Sequence, residues 1–279
     1  RNLDFAHKRW VWFCYVKNFK CQKIVCARCL LIVNISHFHL NIYNMKNILN
    51  KLKTELTSKT NQSGIKTSQR FFKDPINTYG MKSKDIGIIS QKYFQLIKSL
   101  SKEEMCKLCE VLFKSDMYEE FMIAANWIQK RDKEFISKDI DLYENWINKY
   151  VNNWAKCDVF CNHSVGSLVE RYPKLIKYPK KWAKSKNLWM RRASAVSLII
   201  PAKNGLFLND IFEICDILLE DREDMVQKGY GWLLKVTSQI NLKMVFDYVM
   251  KNKGKMPRTS LRYAIEKMPK DLKEKAMKK

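Results

Sequence analysis

From residue 85 onward, apolar residues recur every three or four positions, and no stretch of comparable length alternates apolar with polar. A helix with 3.6 residues per turn buries one stripe of side chains, whereas a half-buried strand needs a period of two. The chain is therefore committed to amphipathic helices that cover one another's apolar faces. The spacing predicts helices near 85–100, 102–115, 117–130, 139–154, 158–171, 173–185, 188–202, 207–220, 223–238, 241–252 and 257–267. Polar residues, Pro or Gly separate them, among them Pro173, Gly205, Gly254 and Pro257. Helices of roughly 12–16 residues on short connectors stack as pairs. The expected fold class is all-α, an α-solenoid of stacked helical repeats whose concave face forms a groove for an extended polymer.

Charge says what that polymer would be. The 279 residues carry 52 Lys and Arg against 28 Asp and Glu, a formal charge of +24. Such a surface concentrates phosphates and binds polyanions through counterion release. The plainer alternative is a lysine-rich face that only keeps the protein in solution. An apolar content of 46% excludes global disorder, and the length suffices for a large buried core. No run of eighteen apolar residues occurs, so no spanning helix is expected. The run Leu30-Leu31-Ile32-Val33 lacks the flanks of a secretion signal. These features point to a cytoplasmic protein whose nine cysteines are mostly reduced thiols.

Residues 1–44 differ from the rest. They hold four of the nine Cys and three of the four His, without a sustained period, and Met45 then opens a helix-like segment, Met45–Leu52. The expected division is an N-terminal extension over 1–44, either disordered or an upstream translation artefact, and a repeat domain over 45–279. The extension contributes seven basic residues and one acidic, so the body keeps a charge of +18. Cys26 and Cys29, with Cys14, Cys21, His37 and His39, offer only one clean zinc-type pair, and no metal is expected.

Three segments of the body are dense in chemistry. Trp154 and Asp158 are four residues apart, which is one face of a helix if a single helix runs through both. The competing reading ends one helix near Trp154 and makes Asp158 the N-cap of the next. A carboxylate held in a cationic groove would stabilise positive charge on a sugar carbon or orient water against it. Trp189 precedes Arg191 and Arg192, and a planar guanidinium suits phosphate. Trp232 follows Gly229 and Gly231, which cost helix stability and make sense where a helix or ligand comes close. Each tryptophan has core packing as its ordinary explanation. Basic residues crowd the region: Arg171, Lys174, Lys177, Lys180, Lys181, Lys184 and Lys186, then Lys228, Lys235, Arg258 and Arg262. Cys106 and Cys109 fit a helix core. Cys157 and His163 have nothing to orient them as a nucleophilic pair, and no phosphate-binding loop, dinucleotide fingerprint or zinc-protease motif occurs.

Taken together, three motifs resemble the DNA alkylation repair family, the HEAT-like-repeat alkylpurine DNA glycosylases of the AlkD type. They are Trp154-x-x-x-Asp158, Asn187-x-Trp189-Met190-Arg191-Arg192-Ala193 and Gln227-Lys228-Gly229-x-Gly231-Trp232-x-Leu234. Pro257-Arg258-Thr259-x-Leu261-Arg262 adds a C-terminal segment, and the likeness covers roughly 65–268. The resemblance implies a HEAT-like solenoid that cradles double-stranded DNA containing alkylated bases and excises cationic N3- or N7-alkylated purines without flipping them out. It implies Asp158 as the catalytic carboxylate, with Trp154 and Trp232 against the lesion-bearing nucleotide. It implies Arg192 gripping DNA, with Arg191, Lys156, Lys228, Arg258 and Arg262 as further DNA contacts. Tyr79 is the counterpart offered for an additional lesion-contacting aromatic. No cofactor is implied, and a monomer suffices. The other reading on this fold is a DNA-structure or damage-binding protein without catalysis.

Overall fold

The computed structural model describes residues 44–278. The chain divides into two units, and the fold below is that of the second, Leu49–Lys279. Its helices are α1 (49–58 of this unit), α2 (Gln62–Gln69), α3 (Ser83–Ile97), α4 (Lys102–Lys114), α5 (Tyr118–Lys130) and α6 (Ile140–Tyr150). A nearly unbroken helical run follows: α7 (Trp154–Val159), a π turn (Phe160–Val165) and α8 (Gly166–Arg171). Then come α9 (Lys177–Trp182), α10 (Leu188–Val196), α11 (Ile199–Lys203), α12 (Leu208–Leu218), α13 (Asp224–Ser238), α14 (Leu242–Asn252), α15 (Arg258–Ala264) and α16 (Lys270–Met277). No strand occurs among the described residues, and none of their helices is long and apolar enough to cross a membrane.

Local chemistry sets where these helices start. Ser101 and Glu104 form a reciprocal capping box at α4. Asn61, Asn153, Asn187 and Asn241 each cap a helix by accepting a backbone N–H. Asn153 decides the most consequential boundary. Its side chain accepts the N–H of Lys156, so the helix begins at Trp154 and runs through Asp158. The N-cap reading of Asp158 is thereby corrected, as is the expected helix over 139–154, which stops at Tyr150 where Val151 turns extended. Two other expected helices are interrupted. The 173–185 segment opens with a 3₁₀ turn, Pro173–Ile176, before α9, and 188–202 breaks at Leu198 between α10 and α11. Helices α2 and α16 were not anticipated: both are short and polar, with one buried side chain between them.

What makes the stack a solenoid is visible in its hydrogen bonds. Tyr93 donates to Glu55, Trp127 to the Ser90 carbonyl, Tyr150 to Glu110, Trp182 to Glu144, Tyr248 to Asp216 and Tyr230 to Ser260. Every one of these ties spans 30 to 40 residues of sequence. That is about one helical-repeat length, so each of these ties laces one unit to the next. Between the ties lies one continuous core. Around Phe113 it holds Phe121, Tyr143, Trp146 and Phe160, with ring centroids 4.5 to 6.1 Å apart. Cys106 and Cys109 are buried free thiols, as expected.

Gly231 shows how tightly α13 meets α15. A Cβ there would lie 2.7 Å from the Tyr263 Cβ and 2.9 Å from the Ser260 carbonyl oxygen. Gly231→Ala should therefore destabilise the protein by about 1–2 kcal/mol, because overpacking against backbone outweighs the gain in helix propensity. Gly87, mid-helix in α3 with nothing within 4 Å of a built Cβ, is the control. Gly87→Ala should stabilise by about 0.5–1 kcal/mol. Urea midpoints that move in opposite directions would establish the contact.

Candidate functional site

The site grows out of the helical run that Asn153 starts. Trp154 and Asp158 lie one turn apart on α7. Asp158 is largely buried, its side chain 19% exposed, and faces α10 across one repeat. There Arg192 engages it with both edges of its fork: Nε donates to Oδ1 at 2.9 Å and Nη2 to Oδ2 at 2.8 Å. The Arg192 side chain is only 6% exposed, and its Nη1 donates to the Met225 carbonyl at the start of α13. Gly229, one turn further along α13, leaves the room: a Cβ there would sit 3.3 Å from the Arg192 Cγ. Three successive repeats thus meet at one guanidinium. Burial raises the Asp158 pKa, and Arg192 opposes the rise. Burial also works against charge on Arg192, but Asp158 beside it prevails and raises that pKa. The bidentate geometry fixes the carboxylate's orientation before any ligand arrives.

Aromatic residues wall the carboxylate. Trp154 stacks on Phe72, with centroids 5.4 Å apart and planes 19° from parallel, and its indole N–H donates to the Phe71 carbonyl at 3.1 Å. Tyr118 meets Phe72 edge-on at 6.2 Å. Phe71 itself projects outward, 69% exposed. Trp154 and Tyr118 continue into an open groove of about 390 Å³ that also holds Asp158, Asn126, Asn162 and His163. A second cavity of about 350 Å³ lies against Trp154 as well, with Phe72, Trp189, Asp224 and Met225 in its lining. A buried, ion-paired carboxylate beside open aromatic faces is suited to a cation that arrives with a flat or sugar-like body.

A family model described as DNA alkylation repair enzyme matches residues 52–268, which is most of the chain. The chain belongs to the DNA alkylation repair enzyme family. Solved structures share the fold. A predicted DNA alkylation repair enzyme from Enterococcus faecalis superposes with a TM-score of 0.69 at 15% identity, covering 76% of this chain and 98% of its own. AlkD2 from Streptococcus mutans gives 0.56 at 21%, covering 80% and 98%. The smu.31 protein of Streptococcus mutans UA159 gives 0.51 at 25%, covering 67% and 95%. No curated protein matches the chain.

Within this family member, the residues singled out from sequence fall into distinct places. Asp158, Trp154 and Arg192 converge. Trp232 is half-buried on α13, on the helical face that also carries Met225 and Gly229. Lys156 departs from expectation: its side chain is 2% exposed, and its ammonium donates to Asp116 Oδ1, the Asp116 carbonyl and Asn152 Oδ1. With three donors used internally, it ties two repeats instead of meeting DNA. Burial lowers its pKa, while Asp116 opposes that shift. Arg191 is likewise engaged, by Asp221 and the Ser185 and Lys186 carbonyls. Lys228 pairs with Asp224 one turn away and stays partly exposed. Arg258 and Arg262 are exposed on α15.

Tyr79 is also placed away from the carboxylate's groove. Its hydroxyl donates to buried Glu120 at 2.8 Å, and its backbone N–H to buried Glu119 at 2.9 Å. Burial, helped by Glu120, pushes the phenol pKa up to about 12. Trp154 is met instead by the Phe72 ring and the Phe71 carbonyl, which sequence reasoning missed. Their signal was an adjacent aromatic pair in an otherwise polar stretch, Arg70-Phe71-Phe72-Lys73. Tyr118, Asn162 and His163 were also missed as groove residues. Cys157 is buried, with its thiol 3.8 Å from the Trp189 carbonyl, and does not line the groove with His163. Among the described residues no cluster of His, Cys, Asp or Glu could hold a metal; the N-terminal Cys and His set lies outside them.

Removing Arg192 leaves Asp158 buried without a counter-charge. Arg192→Ala should lower unfolding free energy by about 3 kcal/mol, the cost of breaking a buried pair from one side. Arg192→Lys should recover only part of it, since a point charge cannot span both oxygens. Equilibrium denaturation of the two variants checks both expectations.

Proposed function

We propose that this protein is a monofunctional DNA glycosylase that hydrolyses the N-glycosidic bond of cationic N3- or N7-alkylated purines in duplex DNA, leaving the base stacked. The observation that carries this reading is the Asp158 carboxylate, buried and oriented by Arg192, opening into a groove walled by Trp154 and Tyr118. An alkylated purine already bears positive charge, so it departs without protonation. The remaining requirement is to stabilise the cation that develops on the deoxyribose. One fixed carboxylate supplies that, and indole faces add cation–π attraction. The second acid of a glycoside hydrolase is then unnecessary.

DNA would be drawn in by cations that the fold leaves at the surface. Lys174, Lys177, Lys184, Lys186, Arg258 and Arg262 are all exposed. Phe72, stacked on Trp154, adds a second ring on the N-terminal side. An open groove, rather than a sealed slot, agrees with a base that stays in the helical stack.

Base release from a duplex carrying a single 7-methylguanine tests the reading. Wild type should release the base, and Asp158→Asn should slow release by at least about 10²–10³-fold while binding DNA with similar affinity. If wild type releases neither 7-methylguanine nor 3-methyladenine yet binds duplex in a salt-sensitive way, the reading as a DNA-structure or damage-binding protein without catalysis replaces this one. Arg258→Ala combined with Arg262→Ala should weaken binding to all duplexes alike. The slope of log K against log salt should fall by about 2, if each arginine neutralises one phosphate.

A further inference from the structure

Asp116 stands in a left-handed backbone conformation, φ +62°, on the turn between α4 and α5. Glycine takes that conformation at no steric cost, and the contacts of the carboxylate supply the reason for a side chain. Its two oxygens gather donors from two distant parts of the chain. Oδ2 accepts from Asn77 Nδ2 at 2.9 Å. Oδ1 accepts from Asn152 Nδ2 at 2.7 Å and from the buried Lys156 ammonium at 2.6 Å. The Asp116 carbonyl accepts from the same ammonium at 3.1 Å. An acceptor-only group with several lone pairs is what three such donors require. Burial raises the Asp116 pKa, but Lys156 and the two amides outweigh it and hold the carboxyl below its ordinary 3.8.

Both parts of the chain lead to the aromatic wall beside Asp158. On one side, Asn77 ends the stretch 72–77, which lines the cavity against Trp154 together with Asp116. That stretch is braced from within, because the Gln69 amide donates to the Phe72 and Asp74 carbonyls and accepts the Ile76 N–H. A constraint at Asn77 is therefore passed on to Phe72. On the other side, Asn153 donates to the Asn152 side chain at 3.2 Å, and Asn153 is the cap from which α7 and Trp154 start. Lys156 lies in the first turn of that helix. The two routes close on each other where Phe72 stacks on Trp154, 5.4 Å between centroids.

We propose that Asp116 is a positioning residue for base excision: by holding the Asn77 and Asn152–Lys156 sides together it sets the Phe72–Trp154 stack, and with it the indole wall beside Asp158. The inference rests on the glycosylase reading. Asp116 is absent from the lining of the Asp158 groove, so its effect passes through the stack. Lys156 has its place in the same device. Its buried cation is the anchor that keeps the carboxylate turned toward α7.

The test is single-turnover release of 7-methylguanine from duplex, with duplex affinity and urea midpoints measured alongside. The variants are Asp116→Gly, Asp116→Asn, Asn77→Ala and Phe72→Ala, and Phe72→Ala combined with each of Asp116→Gly and Asn77→Ala. Asp116→Gly keeps the left-handed turn unstrained and deletes only the carboxylate. It should slow release about tenfold with duplex affinity within about twofold, since small displacements of a positioned group cost rate steeply. Asp116→Asn still offers an oxygen to Lys156 and Asn152 and an amide to a turned Asn77, so it should recover most of the rate. Asn77→Ala cuts one exposed hydrogen bond, which guards against misfolding, and should slow release about threefold. Residues that act through one stack are not additive. With Phe72→Ala already in place, Asp116→Gly and Asn77→Ala should therefore each cost less than about twofold more. A purely structural tie would lower the urea midpoint and leave the rate of the folded protein unchanged. Wild-type rates in every folded variant, or losses that multiply in full with that of Phe72→Ala, overturn the positioning role while the glycosylase stands. An inactive wild type overturns both.

Discussion

One guanidinium ties three repeats of this solenoid together. Arg192 sits on the middle of three repeats, pairs bidentately with Asp158 on the first and donates to the Met225 carbonyl on the third. Its burial would be costly without those partners, and Asp158 would be equally costly without Arg192. The same interaction therefore fixes the repeats relative to one another and aims the carboxylate. A solenoid is stabilised only by neighbours, so a polar tie at an inter-repeat seam has no distant contact to substitute for it. Gly229 belongs to this arrangement as well. Its missing side chain is the space in which the arginine lies.

The surplus of positive charge divides into two populations with different work. Lys156, Arg171, Lys180 and Arg191 are consumed by carboxylates about one repeat away in sequence. They stitch the stack and contribute little field to an approaching polyanion. Lys174, Lys177, Lys184, Lys186, Arg258 and Arg262 remain exposed and make up a surface that counterion release can act upon. Net charge counts both populations alike, which is why +24 indicated a partner class without indicating which residues would meet it.

Helix content and repeat architecture were legible because both follow from local spacing. Apolar residues at three and four positions dictate the helices, and short connectors dictate stacking. The glycines of α13 stood out for the same reason, whereas spacing left Asp158 open as an N-cap and the family resemblance alone joined it to Trp154. What sequence could not resolve depended on contacts across repeats. Lys156 and Arg191 look like surface cations until Asp116 and Asp221, 40 and 30 residues away, are brought against them. Tyr79 looked suited to a ligand, yet adjacent Glu119 and Glu120 claim its backbone and its hydroxyl. Phe71 and Phe72 follow a short polar helix with no buried side chain, so no periodicity drew attention to them.

The π turn is the feature least accessible to spacing rules. Phe160 must point into the aromatic core around Phe113 and Trp146, while Trp154 and Asp158 must face the groove. Reading onward with a period of 3.6, Asn162 and His163 would not both share the Asp158 face. Widening the helix by one residue resets the phase, so the core side and the groove side are served at once. Stability is sacrificed where two polar side chains are brought to the groove beside Asp158.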